Sequence, residues 1–134
     1  MKYIDTNIFI NNLIGDARLG DAAEKYLESV ANGREIASTS VHTMVEIYAF
    51  LKSKRLSEQK IADILSEVEQ HGVILLPFEP DFLVDALPMV ENGWKIGDAI
   101  HLNTMKKNKI IKIVTDDRHF ENVAGITRID LLEE

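Results

Sequence analysis

Carboxylates stand at four points of the sequence where their chemistry could matter. Asp5 ends a short apolar run, Glu46 lies within an apolar helical stretch, Asp98 follows a glycine, and Asp116-Asp117 follow a second apolar run. The chain has no cysteine, and a site made only of carboxylate oxygens favours the hard cations Mg²⁺ or Mn²⁺. Such an ion suits phosphate chemistry, because it activates water and stabilises the leaving oxygen. No glycine-rich phosphate loop is present, so a P-loop nucleotide site is not supported.

Most of these acids also have a purely structural explanation. Asp5 and Asp98 both stand at predicted helix starts, where an aspartate caps free amides and favours the positive end of the helix dipole. The pair Asp116-Asp117 could form no more than a polar turn. Only their convergence would turn these separate residues into a site.

Glu46 is the most informative acid, because the segment around it is apolar on nearly every side. A helix of that kind is largely buried, and a buried carboxylate needs partners. His42, one turn earlier, could be such a partner on the same face. His101 lies one turn after Asp98, and a histidine there is more often an ordinary helix residue than a direct participant.

The elements that must position these residues alternate between short strands and helices. Strands are predicted at residues 3–4, 35–38, 73–76, 110–115 and around 127–129. Helices are predicted at 8–13, 16–32, 41–54, 58–71, from 80 or 81 to the stop at Asn92-Gly93, and 99–107, with a helical turn at 120–123. The continuously apolar run 73–76 is typical of a strand buried on both faces.

This alternation predicts a single α/β domain over residues 1–134: a three-layer α/β/α sandwich with a short, mainly parallel central sheet. In such sheets, ligands bind beyond the carboxyl ends of the strands. If the strand that ends near Asp116-Asp117 lies beside the first strand, its acids will converge on Asp5. Thr115 would add a hydroxyl at the same edge.

Composition narrows the functional classes without choosing among them. The formal net charge of -7 argues against a nonspecific nucleic-acid binder, although bound cations can reverse the sign of an acidic site. No apolar run is long enough to span a bilayer, and the N-terminus lacks the pattern of a signal peptide. We therefore expect a cytoplasmic protein without a membrane partner.

Four short motifs, in order, resemble those of the PIN-domain ribonucleases, and within them the VapC-type toxins of prokaryotic toxin–antitoxin pairs. The resemblance spans nearly the whole chain. Its motifs are Tyr3-Ile4-Asp5-Thr6-Asn7, Ser40-Val41-His42-Thr43-Met44-Val45-Glu46-Ile47, Asp98-Ala99-Ile100-His101-Leu102, and Val114-Thr115-Asp116-Asp117-Arg118-His119-Phe120.

The resemblance implies metal-dependent cleavage of single-stranded RNA. Asp5, Glu46 and Asp98 match the three core acids of the family. The fourth is Asp117 by the family's Thr-x-Asp pattern, although Asp116 could also turn into the pocket. Asp5 and Asp98 would hold Mg²⁺ or Mn²⁺, with Glu46 and Asp117 as further ligands, direct or through water. The supporting residues that would orient these acids are Thr6, Asn7 and Thr115.

The same resemblance implies partners. A toxin binds a protein antitoxin, for which the apolar residues Phe9, Ile10, Leu13 and Ile14 are candidates unless they form the core. A homodimer is expected. The candidates to hold the RNA backbone are Arg118, Lys52 and Lys106, and with less reason Lys54, Arg55, Lys107 and Lys109.

Two rival interpretations remain open at this point. One is another α/β phosphoryl-transfer domain with an acidic site, such as a receiver, although Asp5 has no acidic neighbour. The other is a catalytically silent PIN-like scaffold or binding module, which the presence of all four acids disfavours.

Overall fold

The computed structural model describes residues 1–133, in which the strands form one parallel sheet. They are β1 (Lys2–Ile4), β2 (Ala37–Ser40), β3 (Ile74–Leu76), β4 (Lys112–Val114) and β5 (Thr127–Ile129). Their order across the sheet is β3-β2-β1-β4-β5, with every neighbouring pair parallel. Ile4 lies opposite Val114, so the carboxyl ends of β1 and β4 are adjacent. The condition for the acids that follow β4 to lie near Asp5 is therefore met.

Helices connect the strands. They are α1 (Thr6–Ile14), α2 (Gly20–Ala31), α3 (Val41–Ser53), α4 (Glu58–Gln70), α5 (Pro80–Val84), α6 (Leu87–Glu91), α7 (Ile96–Lys107) and a 3₁₀ helix (Arg118–Asn122). No helix within residues 1–133 is both long and apolar enough to cross a membrane.

Local capping explains where three helices begin. The side chains of Asp5, Ser40 and Ser57 accept backbone N–H groups at the starts of α1, α3 and α4. Ser40 is also the last residue of β2, so β2 continues into α3 without a loop. The two serine-capped helices begin at residues 41 and 58, where the sequence predicts them to begin.

Two apolar clusters cover the two faces of the sheet. Successive strand residues point to opposite faces, and Tyr3 and Ile4 accordingly enter different clusters. Tyr3 packs with Leu102 and Met105 of α7, whereas Ile4 packs with a cluster drawn largely from α1 to α4. Each such large buried side chain contributes about 1.5–3 kcal/mol. The predicted three-layer α/β/α sandwich is confirmed.

Several predicted helix boundaries are wrong for local reasons. The helix predicted over 16–32 begins at Gly20, because the Asp16 carboxylate accepts the N–H groups of Arg18 and Leu19 in a preceding turn. The helix predicted from residue 80 is divided into α5 and α6, and Pro88 lies in the first turn of α6. Proline is tolerated there because no intrahelical hydrogen bond is lost.

The predicted strands differ mainly in extent and position. The run 73–76 was expected to be buried on both faces, but β3 is an edge strand, and Ile74 is 45% exposed. The second strand begins at Ala37 rather than residue 35, and β4 covers Lys112–Val114 rather than 110–115. Only β5 has the predicted boundaries.

Candidate active site

Asp5 lies buried at the carboxyl end of β1, where its carboxylate is both a helix cap and the centre of a hydrogen-bond network. Its Oδ1 accepts the N–H of Thr6 at 2.7 Å. Its Oδ2 accepts the Thr115 hydroxyl at 2.7 Å and the Asn7 amide at 3.0 Å. Burial raises the pKa of Asp5, although the positive charge of His101 and these hydrogen bonds oppose the shift.

Thr115 and Asn7 connect the ends of the two central strands. The Thr115 hydroxyl oxygen accepts the N–H of Asp117 at 3.0 Å and the Asn7 amide at 3.2 Å. The Asn7 carbonyl oxygen in turn accepts the N–H of Asp116 at 3.3 Å. Thr6, Asn7 and Thr115 therefore all contact Asp5 directly, in the positions where a supporting residue would orient it.

Helix α3 carries Glu46 at the border of its buried face. The expectation that this helix is buried nearly all round is wrong, because Val41, Val45 and Tyr48 are exposed. Only one stripe, which includes Ile47, packs into the core. The side chain of Glu46 is 31% exposed and contacts His101, whose Nε2 also lies 3.6 Å from Asp5 Oδ1.

The Glu46 carboxylate is hydrogen-bonded to two side chains and lies beside a third. Its Oε1 accepts the Thr6 hydroxyl at 2.6 Å and Nε2–H of His101 at 2.5 Å. Its Oε2 lies 3.5 Å from Nε2 of His42, the helix neighbour that the sequence suggested as a partner. Burial alone would raise the pKa of Glu46, but the hydrogen bonds and the charge of His101 outweigh it and hold the pKa far below its usual range.

His101, for which the sequence favoured an ordinary helix role, contacts both acids. It is 1% exposed, and its Nε2 also lies 3.6 Å from Asp5 Oδ1. Its Nδ1 is 2.5 Å from the hydroxyl of Tyr3, a residue not singled out from the sequence. Burial lowers the pKa of His101, but the hydrogen bond to Glu46 and the charges of Asp5 and Asp98 raise it overall. A tyrosine in a central strand was the available signal, since its buried hydroxyl needs a partner.

Asp98 lies in the first turn of α7 and faces the other acids. The helix begins at Ile96 with Lys95 as its N-cap residue, so the interpretation of Asp98 as the cap is wrong. Burial raises the pKa of Asp98 to about 6, and the negative charges of Asp5 and Asp117 add to the shift.

Asp117, rather than Asp116, is the strand-end acid that the structure brings to Asp98. Ligand atoms of Asp98, Asp117 and His119 all lie within 4.8 Å of one another. Asp116 instead forms an ion pair with Arg18, whose Nη2 lies 2.5 Å from its Oδ2. Of the two acids that the sequence left open, the geometry therefore favours Asp117 over Asp116 as the fourth site acid.

The predicted RNA-binding cations are distributed unevenly. Arg118 follows Asp117 directly and has a side chain that is 74% exposed, with Glu121 at 3.6 Å. Lys52 pairs with Glu58 of α4. Lys106 is exposed in the last turn of α7, roughly 12 Å along the helix from Asp98. Of the three, only Arg118 is placed beside the acids.

The donor chemistry of this site fits a hard divalent cation. Asp5, Asp98 and Asp117 offer oxygen atoms, and the charges of Asp5 and Asp117 add to the burial that raises the pKa of Asp98. A divalent ion would offset these charges, and it prefers carboxylate and water oxygens as ligands. Asp98, Asp117 and His119 are one group of side chains close enough to share an ion, and His42, Glu46 and His101 are another.

Comparisons with known proteins give the fold family. The PIN domain model matches residues 2–126 of the chain. No curated protein matches. Among solved structures, VapC20 of Mycobacterium tuberculosis, a Sarcin-Ricin loop cleaving toxin, superposes with a TM-score of 0.74 at 19% identity, over 95% of this chain and 97% of that one.

Two further similar structures come from toxin–antitoxin complexes. VapBC2 from Rickettsia felis, bound to a promoter DNA fragment, gives a TM-score of 0.71 at 15% identity over 96% of this chain and 98% of that chain. A toxin–antitoxin complex from Klebsiella pneumoniae gives 0.64 at 20% identity over 95% and 96%. At these identities the structures establish a shared fold. Because the family model covers nearly the whole sequence, the chain belongs to the PIN domain family.

Proposed function

We propose that this protein is a Mg²⁺- or Mn²⁺-dependent endoribonuclease that hydrolyses phosphodiester bonds of single-stranded RNA. The observation that carries the proposal is the pair Asp98 and Asp117, whose ligand atoms lie within 4.8 Å of each other, together with Asp5, whose charge adds to the burial that raises the pKa of Asp98 to about 6. Membership in the PIN domain family supports it, and it disfavours a receiver-type phosphoryl-transfer domain.

Each residue has a definable part in this reaction. Asp5 is oriented by Thr6, Asn7 and Thr115, so its Oδ1 faces the site in a fixed direction. Asp98 and Asp117 complete the set of oxygens that would hold the ion. A divalent cation bound there supplies Lewis acidity, which activates a water and stabilises charge on the phosphate. Glu46 adds a permanent negative charge on the α3 side of the site.

Arg118 is the cation best placed to bind the RNA backbone. Its exposed guanidinium follows Asp117, so a phosphate held near the acids would lie within its reach. Lys52 and Lys106 are less suited, because Lys52 is engaged by Glu58 and Lys106 stands at the far end of α7.

We further propose that the protein is a toxin with a protein antitoxin. Several similar structures are toxin–antitoxin complexes. Leu13 and Ile14 at the end of α1 are exposed, whereas Phe9 is core. A neighbouring groove between α1, α2 and α4 is lined by apolar and acidic side chains, which suit a basic, amphipathic antitoxin segment. We also propose that the protein forms a homodimer, because C2 dimers are the commonest oligomers. We propose a cytoplasmic location as well.

The direct test is cleavage of cellular RNA by the wild type and Asp5→Asn, with Mg²⁺ or Mn²⁺. Because a toxin may cut a single RNA species, the substrate should be total RNA, with the new 5′ ends mapped by sequencing. Asp63→Asn, an exposed acid on α4, is a matched control. We expect cleavage by the wild type and the control, and none by Asp5→Asn. Absence of new ends with the folded wild type would overturn the nuclease proposal.

The toxin proposal is tested separately by growth. Induced expression of the wild type in a bacterial host should arrest growth, and expression of Asp5→Asn should not. Normal growth of cells that contain active wild-type nuclease would refute the toxin role while leaving the nuclease intact.

A further inference from the structure

Both lone pairs of one Glu46 oxygen, Oε1, are used by hydrogen bonds within the protein. Oε1 accepts the hydroxyl of Thr6 at 2.6 Å and Nε2–H of His101 at 2.5 Å. A carboxylate oxygen has two lone pairs, so these two hydrogen bonds fill Oε1. This differs from Asp5 Oδ1, which accepts one N–H, from Thr6, and lies 3.6 Å from His101 Nε2.

The second oxygen of Glu46 is enclosed by the protein. Oε2 lies so near the backbone of Gly97 that a Cβ built there would be 2.6 Å away. On another side is Nε2 of His42, at 3.5 Å, a buried atom that makes no hydrogen bond within residues 1–133. The His42 ring packs edge-to-face against Phe78, with ring centroids 5.3 Å apart. Glu46 therefore faces protein groups on both oxygens.

The contact between His101 and Glu46 is a hydrogen bond and not a gap for a cation. Glu46 Oε1 and His101 Nε2 are only 2.5 Å apart, closer than two ligands of one ion. A tetrahedral ion such as Zn²⁺ would hold its ligand atoms roughly 3.3 Å apart. Tyr3, whose hydroxyl lies 2.5 Å from Nδ1, fixes the ring in this orientation.

The His101 ring also occupies the space between two acids. Its Nε2 lies 2.5 Å from Glu46 Oε1 and 3.6 Å from Asp5 Oδ1. A second ion shared by these two carboxylates would need the same position. We propose that His101 stands in place of a second cation, so that the site holds one divalent ion, on Asp5, Asp98 and Asp117, and Glu46 is not a ligand.

This inference rests on the proposed metal-dependent function and narrows it. Glu46 becomes a positioning residue: it fixes the hydroxyl of Thr6, whose N–H holds Asp5 Oδ1. The remaining coordination positions of the single ion are left to water and the phosphate, as is usual for Mg²⁺.

The test is a count of Mn²⁺ ions by titration calorimetry and electron paramagnetic resonance. The wild type should bind one Mn²⁺ per chain. Asp98→Asn should weaken binding by about 30-fold or more, and Glu46→Gln, which keeps the shape, by less than about threefold. His101→Ala should admit a second, weaker ion, whereas His101→Gln, which retains an N–H donor, should keep the count at one.

Nitrogen NMR of the histidine rings adds a readout that needs no activity. Nε2 of His101 should remain protonated both without metal and with saturating Mg²⁺. Circular dichroism checks that each variant is folded. The Glu46→Gln and NMR measurements do not depend on the His101 variants, which could fail to fold.

The outcomes separate this inference from the function on which it rests. Two ions in the wild type, an effect of Glu46→Gln as large as that of Asp98→Asn, or loss of the Nε2 proton on Mg²⁺ binding would each overturn the inference and leave a metal-dependent nuclease. Zn²⁺ binding that is lost in His42→Ala would overturn it as well. A wild type that binds no ion would overturn both.

Discussion

The backbone of Gly97 on α7 faces the carboxylate of Glu46 on α3. A methyl group on Gly97 would lie 2.6 Å from Oε2 of Glu46. That oxygen is the far end of a flexible side chain, so a larger residue at position 97 would move Glu46 rather than the helices. The absence of a side chain at Gly97 thus maintains the position of a site residue.

Gly97→Ala should therefore lower activity without lowering stability. Alanine is favoured over glycine within a helix by about 0.5–1 kcal/mol, which offsets the small displacement of Glu46. We expect kcat on RNA to fall about tenfold, a loss of ~1.4 kcal/mol in transition-state stabilisation. Gly33→Ala is the control with the opposite pattern, because Gly33 has a φ of 81° and lies in open space. It should lose stability and keep kcat.

Thr115→Val should destabilise the protein and reduce RNA cleavage. The substitution keeps the shape but removes the hydroxyl that donates to Asp5 and accepts the N–H of Asp117. Leaving such buried groups unsatisfied costs about 1–3 kcal/mol, measurable by urea unfolding. Thr115→Ser should retain most of the stability, and Thr127→Val, on an exposed position of β5, should change neither property. Equal stability of Thr115→Val and wild type would contradict the network.

The two neighbouring strand-end acids should differ sharply in function. Asp117→Asn should weaken Mn²⁺ binding by about 30-fold, because this acid shares the pocket with Asp98. Asp116→Asn should leave Mn²⁺ affinity within about threefold, because Asp116 pairs with Arg18. Titration calorimetry compares the two variants directly. A larger effect at Asp116 would mean that the site is assembled differently.

Asp98 should make the metal-free protein less stable as pH rises. Its folded-state pKa of about 6 lies above the ordinary 3.8, so the folded state binds the proton more tightly than the unfolded state. This contribution to stability is therefore greatest at low pH and is lost as pH rises through 6.

Removing the negative charge of Asp98 should abolish this loss of stability at high pH. In EDTA at about pH 7.5, Asp98→Asn should be more stable than wild type by ~1–2 kcal/mol, after allowance for solvent screening of this half-buried group. The difference should shrink towards zero near pH 4. Saturating Mn²⁺ should make the wild type the more stable protein. Urea unfolding at both pH values measures this, and a pH-independent difference would refute the assignment.

The layer order of the fold could be predicted because its signals are local. The caps Ser40 and Ser57 and the strand–helix alternation lie within a few residues of the features that they specify. The position of β3 at the sheet edge could not be predicted in this way, because it depends on which distant strand pairs with Ser38–Ser40. Its apolar sequence is compatible with an edge or a central strand.

The acids of the candidate site could be singled out from the sequence, but not their partners. Glu46 and His101 are 55 residues apart, and only the packing of α3 against α7 shows that they touch. The choice between Asp116 and Asp117 depended on Arg18, which lies 98 residues away from the first of them. These contacts depend on how distant parts of the chain pack together, and the spacing of residues along the sequence does not reveal that packing.

Because β2 continues directly into α3, the rotation of α3 about its own axis is fixed relative to the sheet. Each residue inserted between Ser40 and Val41 would turn α3 by about 100° about its axis, and Glu46 would leave the pocket although its sequence neighbours were unchanged. An insertion at the turn after Asn32 has no such consequence, because the chain there leads to a strand whose register is set by its pairing with β1. Length variation among functional relatives should therefore be found at that turn and be absent from the β2–α3 junction.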